Sequence, residues 1–236
     1  YGGLIVTTRN TTAQVLEIMR SIANFLKKER FVKWVYKCIP HIYHRYPSES
    51  DLYALFRLDA RLIGRNISST VQLDKPLRLR ADRRSRMKKA EQAGLRVVET
   101  TDFSPFWKVL DANLQERFHV KPVHSLDEIV LLHSRFPDRI RHFVMRGDEI
   151  LAGSVIYDTG IVAHAQYTSA SAEGKASGAL DLLYARLIGE VFADRKWFDF
   201  GQSTEDMGHY LNEGLIAQKE GFGGRGVAYD IYEITL

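Results

Sequence analysis

Cysteine is nearly missing from these 236 residues. Cys38 stands alone, which excludes an internal disulfide and any cysteine-based metal spacing and points to a reducing, cytoplasmic setting. Long hydrophobic runs are missing too: none approaches the ~20 residues of a membrane-spanning helix, so no span is expected. The chain opens on Tyr1-Gly2-Gly3 without an initiator Met or a charged-then-apolar leader, and it reads as a piece of a longer protein. It also lacks internal repeats, low-complexity tracts and a recognisable linker. His41-x-x-His44 has no Cys or carboxylate partner at metal spacing, so no metal site is expected.

What is present is an ordinary globular composition, 45% apolar and 26% charged, with one electrostatic anomaly. The formal charge is +4, yet Lys75 to Arg96 alone carries nine Lys or Arg against Asp82 and Glu91, which is +7 and leaves the remainder at −3. Arg83, Arg84, Arg86, Lys88 and Lys89 crowd one predicted helix over 81–93, stopped by Gly94. Such a helix can track the phosphates of tRNA or DNA. No aromatic residue is interleaved with its cations, and a solvated connecting helix accounts for the same pattern.

Before that helix, helical spacing predicts a helix capped within Asn10 to Thr12 and running to Lys28. An aromatic and β-branched strand follows over 31–39, then a short helix over 52–58 capped by Ser48 or Ser50, then extended stretches near Leu62 and over 67–73. After Gly94 the order becomes regular. A strand over 95–99 precedes a helix with Ser104 as N-cap, Pro105 at its first position and a core face of Phe106, Leu110, Leu114 and Phe118. The capping box Ser125…Glu128 opens a second helix. Strands over 140–145 and 150–157 join at the turn Gly147-Asp148, and a third spans 161–168. A Gly-containing loop, a helix over 179–192, a strand over 197–200, a helix over 206–220 started by Ser203…Asp206, and a strand near 227–234 complete the chain.

The strand–turn–helix of residues 196–225 organises the rest, because open α/β sheets build sites at the carboxyl ends of such strands. The order from Leu95 (strand, two helices, three antiparallel strands, helix, strand, helix, strand) resembles the GNAT-type N-acyltransferase fold. Arg83-Arg84-Ser-Arg86-Met-Lys88-Lys89-Ala-Glu-Gln-Ala-Gly-Leu, with Phe198-Asp199-Phe200-Gly201 and Lys219-Glu220-Gly-Phe-Gly-Gly, is similar to the start and end of the second GNAT-like module of Fem-type aminoacyltransferase-like proteins. The expected class is therefore α/β (α+β): a mixed, mostly antiparallel sheet flanked by helices. Residues 1–80 would be part of a first GNAT-like module, 81–94 a basic connecting helix and 95–236 the acyltransferase module.

The resemblance implies transfer of an acyl group from acetyl-CoA or another acyl-CoA to a small-molecule amine. The runner-up within enzymes is a Fem-type, aminoacyl-tRNA-dependent transferase acting on a peptidoglycan precursor. Outside enzymes, residues 75–96 suit a nucleic-acid-binding α/β protein. Gly174, Lys175, Ser177, Gly178 and Ala179 stand where ordinary members cradle the CoA pyrophosphate, with amides, a helix dipole and an ammonium available. Their spacing departs from the usual Gln/Arg-x-x-Gly-x-Gly/Ala, which sets CoA against tRNA as donor. For proton transfer the resemblance points to Tyr210, at a helix position where GNAT enzymes often carry an acid, with His209 beside it. Glu205 and Asp199 are further candidates, each also readable as a helix-start or turn-capping acid. His164, sharing a strand face with Gln166 beside the acyl site, is a candidate base or a satisfied core histidine.

Overall fold

The side chain of Thr11 accepts the Gln14 N–H while the Gln14 side chain accepts the Thr11 N–H, a capping box that starts α1 (Thr12–Lys28). The structure is a computed structural model that describes residues 2–147 and 149–236, and the side chain of Phe118 is not among its described parts. The expected turn at Asp148 and the core role of Phe118 therefore lie outside the described residues. After α1 come β1 (Lys33–Lys37), α2 (Ser50–Arg57), β2 (Arg61–Gln72), α3 (Ala81–Gln92), β3 (Arg96–Glu99), α4 (Ser104–Phe118) and α5 (Leu126–Arg135). Then follow β4 (Ile140–Arg146), β5 (Ile150–Asp158), β6 (Val162–Ala170), α6 (Ala172–Ser177), α7 (Ala179–Arg186), β7 (Trp197–Gln202), β8 (Thr204–Glu205), β9 (Tyr210–Leu211), α8 (Glu213–Glu220) and β10 (Arg225–Thr235). Among the described residues no helix is long and apolar enough to cross a membrane.

The chain divides into two compact units. The first comprises Tyr1–Ser68, Gln202–Ile216 and Gly226–Leu236. In it the strands run β1-β10-β2, with β1 and β10 antiparallel from Lys33↔Thr235 to Lys37↔Ile231. Its core gathers Val15 and Met19 of α1, Tyr36 of β1, Ala54 and Leu55 of α2, and Ile234 of β10. The second unit comprises Ser69–Gly201 and Ala217–Arg225. Its strands run from the end of β2 through β7-β6-β5-β4 to β3. All neighbours from β3 to β6 are antiparallel, whereas β6 and β7 are parallel. Successive strand residues point to opposite faces, so Phe143 and Ile156 enter one core with Leu183 of α7 and Ala90 of α3, while their neighbours Val144 and Val155 enter another with Phe106 of α4 and Ile129 of α5.

Three expectations for local structure are corrected. The helix expected over 206–220 is confined to Glu213–Glu220. Asp206, Met207 and Gly208 have φ of 47°, 53° and 102°, a left-handed run that no α-helix contains. A Cβ on Gly208 would lie 1.9 Å from the Arg65 carbonyl oxygen, so only glycine fits that turn. Asn212 caps the real helix, its Oδ1 accepting the Leu215 N–H at 3.0 Å. Second, the loop expected before residue 179 is largely helix α6, capped by Ser171, whose side chain accepts the Gly174 N–H. Third, the helix expected to reach residue 192 leaves α geometry after Arg186 for one π-turn, Leu187–Val191. β6 also carries a bulge beyond His164. Ala165 pairs with Ile156 and Tyr167 with Val155, so Gln166 is the extra residue of a bulge that interrupts the alternation.

Candidate functional site

β6 and β7 pair in parallel only through Val162↔Trp197, Ala163↔Phe198 and His164↔Asp199. Beyond that rung β6 runs on to Ala170 and β7 to Gln202 with no further pairs between the two. The carboxyl ends of two parallel strands that part company are where this kind of sheet offers room for a ligand.

At the last rung the two side chains meet: His164 Nδ1 lies 2.8 Å from Asp199 Oδ2. With its proton on Nδ1, the ring donates to the carboxylate and carries its lone pair on Nε2. Asp199 is fully buried, and its other oxygen accepts the Thr70 hydroxyl at 2.9 Å and the Gly201 N–H at 3.3 Å. A buried carboxylate with donors on both oxygens is held in one orientation, and it fixes the imidazole in turn. Gly201, at φ 77°, makes the turn that lets its N–H reach back to Asp199. On either side of Asp199, Phe198 and Phe200 pack edge-on to Tyr184 of α7, which anchors the strand that presents it.

Lys219, near the end of α8, is only 9% exposed, and its Nζ donates to the Gly201 carbonyl at 2.9 Å. Burial lowers its pKa to about 8, while the field of Asp199 works the other way. Nothing in the sequence pattern singled out this lysine, although it opens the Lys219-Glu220-Gly-Phe-Gly-Gly segment. The second unit thus brings together a histidine, a carboxylate and a lysine whose charge is unstable, a set suited to moving protons near neutral pH.

The remaining candidates are placed as follows. Tyr210 and Glu205 pair across the β8–β9 hairpin of the first unit, and Tyr210 is 57% exposed. His209 and Asp206 are exposed at the turn of that hairpin. In the segment expected to cradle pyrophosphate, Gly174 N–H is taken by Ser171 Oγ, Lys175 Nζ donates to Asn113 Oδ1 at 3.0 Å and Ser177 Oγ donates to the Gly174 carbonyl. Ala179 is buried as the first residue of α7. The glycines themselves are covered by main chain: a Cβ on Gly174 would meet the Leu151 carbonyl oxygen at 1.8 Å, and one on Gly178 the Arg86 carbonyl oxygen at 2.4 Å.

Of the five basic candidates on α3, Arg83 is turned inward onto Asp181 at 2.8 Å. Arg84 donates to the Leu79 carbonyl and Lys89 to the Ala176 carbonyl. Arg86 and Lys88 face solvent.

A family model described as an acetyltransferase (GNAT) domain matches residues 78–210. No curated protein matches the sequence. Among solved structures, FemX is similar over 99% of this chain and 79% of its own, with 11% identity and a TM-score of 0.73. The C-terminal domain of a protein assigned as a lysylphosphatidylglycerol synthetase from Agrobacterium fabrum is similar over 99% and 76%, with 13% identity and a TM-score of 0.68. The L-PGS structure from Bacillus licheniformis is similar over 92% and 72%, with 14% identity and a TM-score of 0.66. At such identities the likeness is one of fold.

Proposed function

The chain belongs to the GNAT acetyltransferase-domain family, and from that premise we propose that it transfers an acyl group from an activated ester to an amine where β6 and β7 diverge. The observation that carries this reading is the His164–Asp199 pair on the last rung between those strands. His164 Nε2 takes the proton that the amine sheds as its nitrogen bonds to the acyl carbon, and Asp199 steadies the imidazolium that forms. The ammonium of Lys219, held near its titration point by burial, supplies the proton that leaves with the departing oxygen as the acyl–oxygen bond breaks.

For the donor, the geometry favours an aminoacyl ester carried on tRNA over acyl-CoA. A phosphate needs unpaired amides, and the Gly174 and Gly178 N–H groups are already donated to Ser171 Oγ and the Gly174 carbonyl. The exposed Arg86 and Lys88 offer charge to a polyanion instead. The fold shared with FemX and with lysylphosphatidylglycerol synthetases, whose name denotes an aminoacylated product, supports the same direction. The test offers labelled acyl-CoAs and aminoacyl-tRNAs separately with a pool of amines. Transfer is expected from the tRNA ester. In His164→Ala and Asp199→Asn the rate should fall by about a hundredfold or more, the usual yield of general base catalysis. Equal rates in parent and both variants would remove His164 from the chemistry, and transfer from acyl-CoA alone would reassign the donor.

A further inference from the structure

We propose that Arg83 is a positioning residue for Lys219, acting through the turn after α8 rather than on a ligand phosphate; the inference rests on the reading of Lys219 as part of the transfer site. Arg80 is the residue just before α3, and Arg83 lies in its first turn. The Arg80 N–H donates to the Gly221 carbonyl at 2.9 Å, and its guanidinium reaches the Ala217 carbonyl at 3.3 Å. The start of α3 therefore grips the chain on both sides of Lys219.

Arg83 closes the grip. Its Nη1 donates to Asp181 Oδ1 of α7 at 2.8 Å, with side-chain exposures of 13% and 6%, and its guanidinium lies 5.5 Å over the Phe222 ring. Phe222 is 1% exposed and packs on Phe200 and Tyr184. The main chain completes the connection. The Lys219 carbonyl accepts the Phe222 N–H at 3.1 Å and the Gly224 N–H at 3.3 Å, so where Phe222 is pinned, the Lys219 backbone is pinned. A methyl group on Gly221 would stand 3.1 Å from Arg83 Nε, which shows how closely the turn is drawn onto the guanidinium.

The sequence runs from Asp181 through Arg83, Phe222 and the Lys219 backbone to the Nζ that holds Gly201. The charged and titratable groups around it are Asp199 with its partner His164 from the sheet, Arg80, Asp82 and Arg83 from the start of α3, Asp181 from α7, and Glu220 and Arg225 beside the turn. The guanidinium donates to Asp181 through Nη1 and stacks on the Phe222 ring, while its Nε is buried without a hydrogen-bond partner, so it presents little to a phosphate arriving from solvent.

The experiment reads Lys219 directly. The full chain is acetylated with trace acetic anhydride across a pH series, and the labelling of Lys219 is followed by mass spectrometry. In the parent, labelling should rise with a midpoint near the lowered pKa of about 8. Two variants are compared. Arg83→Met combined with Asp181→Leu leaves no lone buried charge, and Arg83→Lys keeps the charge but loses the planar fork. Both are checked for folding by circular dichroism, and Arg83→Lys decides the matter if the double variant does not fold.

The midpoint is expected to move up by ~1 pH unit or more as the turn loosens and water reaches the ammonium, with faster labelling. Arg86→Ala, on the exposed side of the same helix, should titrate like the parent. A folded variant whose Lys219 titrates and labels as the parent's does overturns the proposal. So does a loss of salt-dependent tRNA binding in the Arg83 variants with Lys219 unchanged, which returns Arg83 to a phosphate. Because labelling needs no turnover, failure of the parent to transfer any acyl group would sink the proposed reaction while leaving this result standing.

Discussion

Lys219 keeps a charge in a place that penalises it. Its pKa of about 8 lies below the ordinary 10.5, so the folded state resists protonation relative to the unfolded chain. The stabilisation tied to this group is full only above pH 10.5 and is lost as the pH falls through about 8. At pH 7 the burial therefore costs about 3 kcal/mol, at ~1.36 kcal/mol per pH unit of displacement. Lys219→Met should raise stability at pH 7 by about 1–3 kcal/mol, the hydrogen bond to Gly201 offsetting part of the relief, and should abolish transfer. Urea melts at pH 7 and pH 10 check this, since the gain must shrink at the higher pH. A variant less stable than the parent at pH 7 would mean that the lysine is held by more than it strains. The sequence could not announce this residue. In a helix spanning 206–220 a lysine near the end reads as a solvated C-terminal cation; the true helix begins at Glu213 behind a left-handed turn, and Gly208 within the expected helix was the visible warning. His164 and Asp199 were each legible as candidates, but their pairing depends on the parallel register of β6 and β7, which no local pattern encodes.

Among the elements, the order of strands and helices from β3 to β6 was readable because each is short, periodic and punctuated. Ser125…Glu128 forms the capping box its spacing implies, and β4, β5 and β6 begin within a residue of where alternation places them. The α6–α7 junction was not readable in the same way. A glycine required by a ligand and one required by a neighbouring helix look alike in sequence, and here the neighbour is α3, about 90 residues earlier. Gly178 has φ 79° and its Cα faces the Arg86 carbonyl, so Gly178→Ala adds left-handed strain to a main-chain clash. The expected loss is about 2–4 kcal/mol, typical of backbone strain combined with overpacking. Lys175→Ala, which removes only a hydrogen bond from an exposed ammonium to Asn113, should stay within ~0.5 kcal/mol of the parent. Denaturant titration of both variants, with calorimetric CoA binding alongside, separates the two roles. If Gly178→Ala melts as the parent does and loses CoA affinity, the glycine serves a ligand after all.

For the whole molecule, pH acts through histidine before it acts through carboxylates. The formal charge is already +4, so acidification only adds positive charge and self-repulsion. His142 of β4 is 1% exposed, stacked at 4.6 Å on Phe103 and tilted against Phe106 at 5.1 Å, and neither ring nitrogen has a hydrogen-bond partner. Burial pushes its pKa down to about 4; the field of Asp102 opposes this and that of His133 adds to it. The unfolded chain takes the proton nearer pH 6.5, so the stabilisation is intact above pH 6.5 and is lost as the pH falls through about 4. Over that window the change amounts to about 3 kcal/mol, a large share of the ~5–15 kcal/mol that holds a typical domain together. The carboxylates held below their ordinary values, Asp158 beside Arg195 and Glu128 at its helix cap among them, begin to matter below about pH 5. Stability measured by urea titration should therefore decline from pH 6.5 downward, with a slope near one proton per molecule. His142→Phe preserves the stack on Phe103 while removing the titrating group, and it should flatten that limb without altering the steeper loss at lower pH. A parent whose stability is level from pH 6.5 to 4.5, or a variant whose limb keeps its slope, would place the acid sensitivity elsewhere.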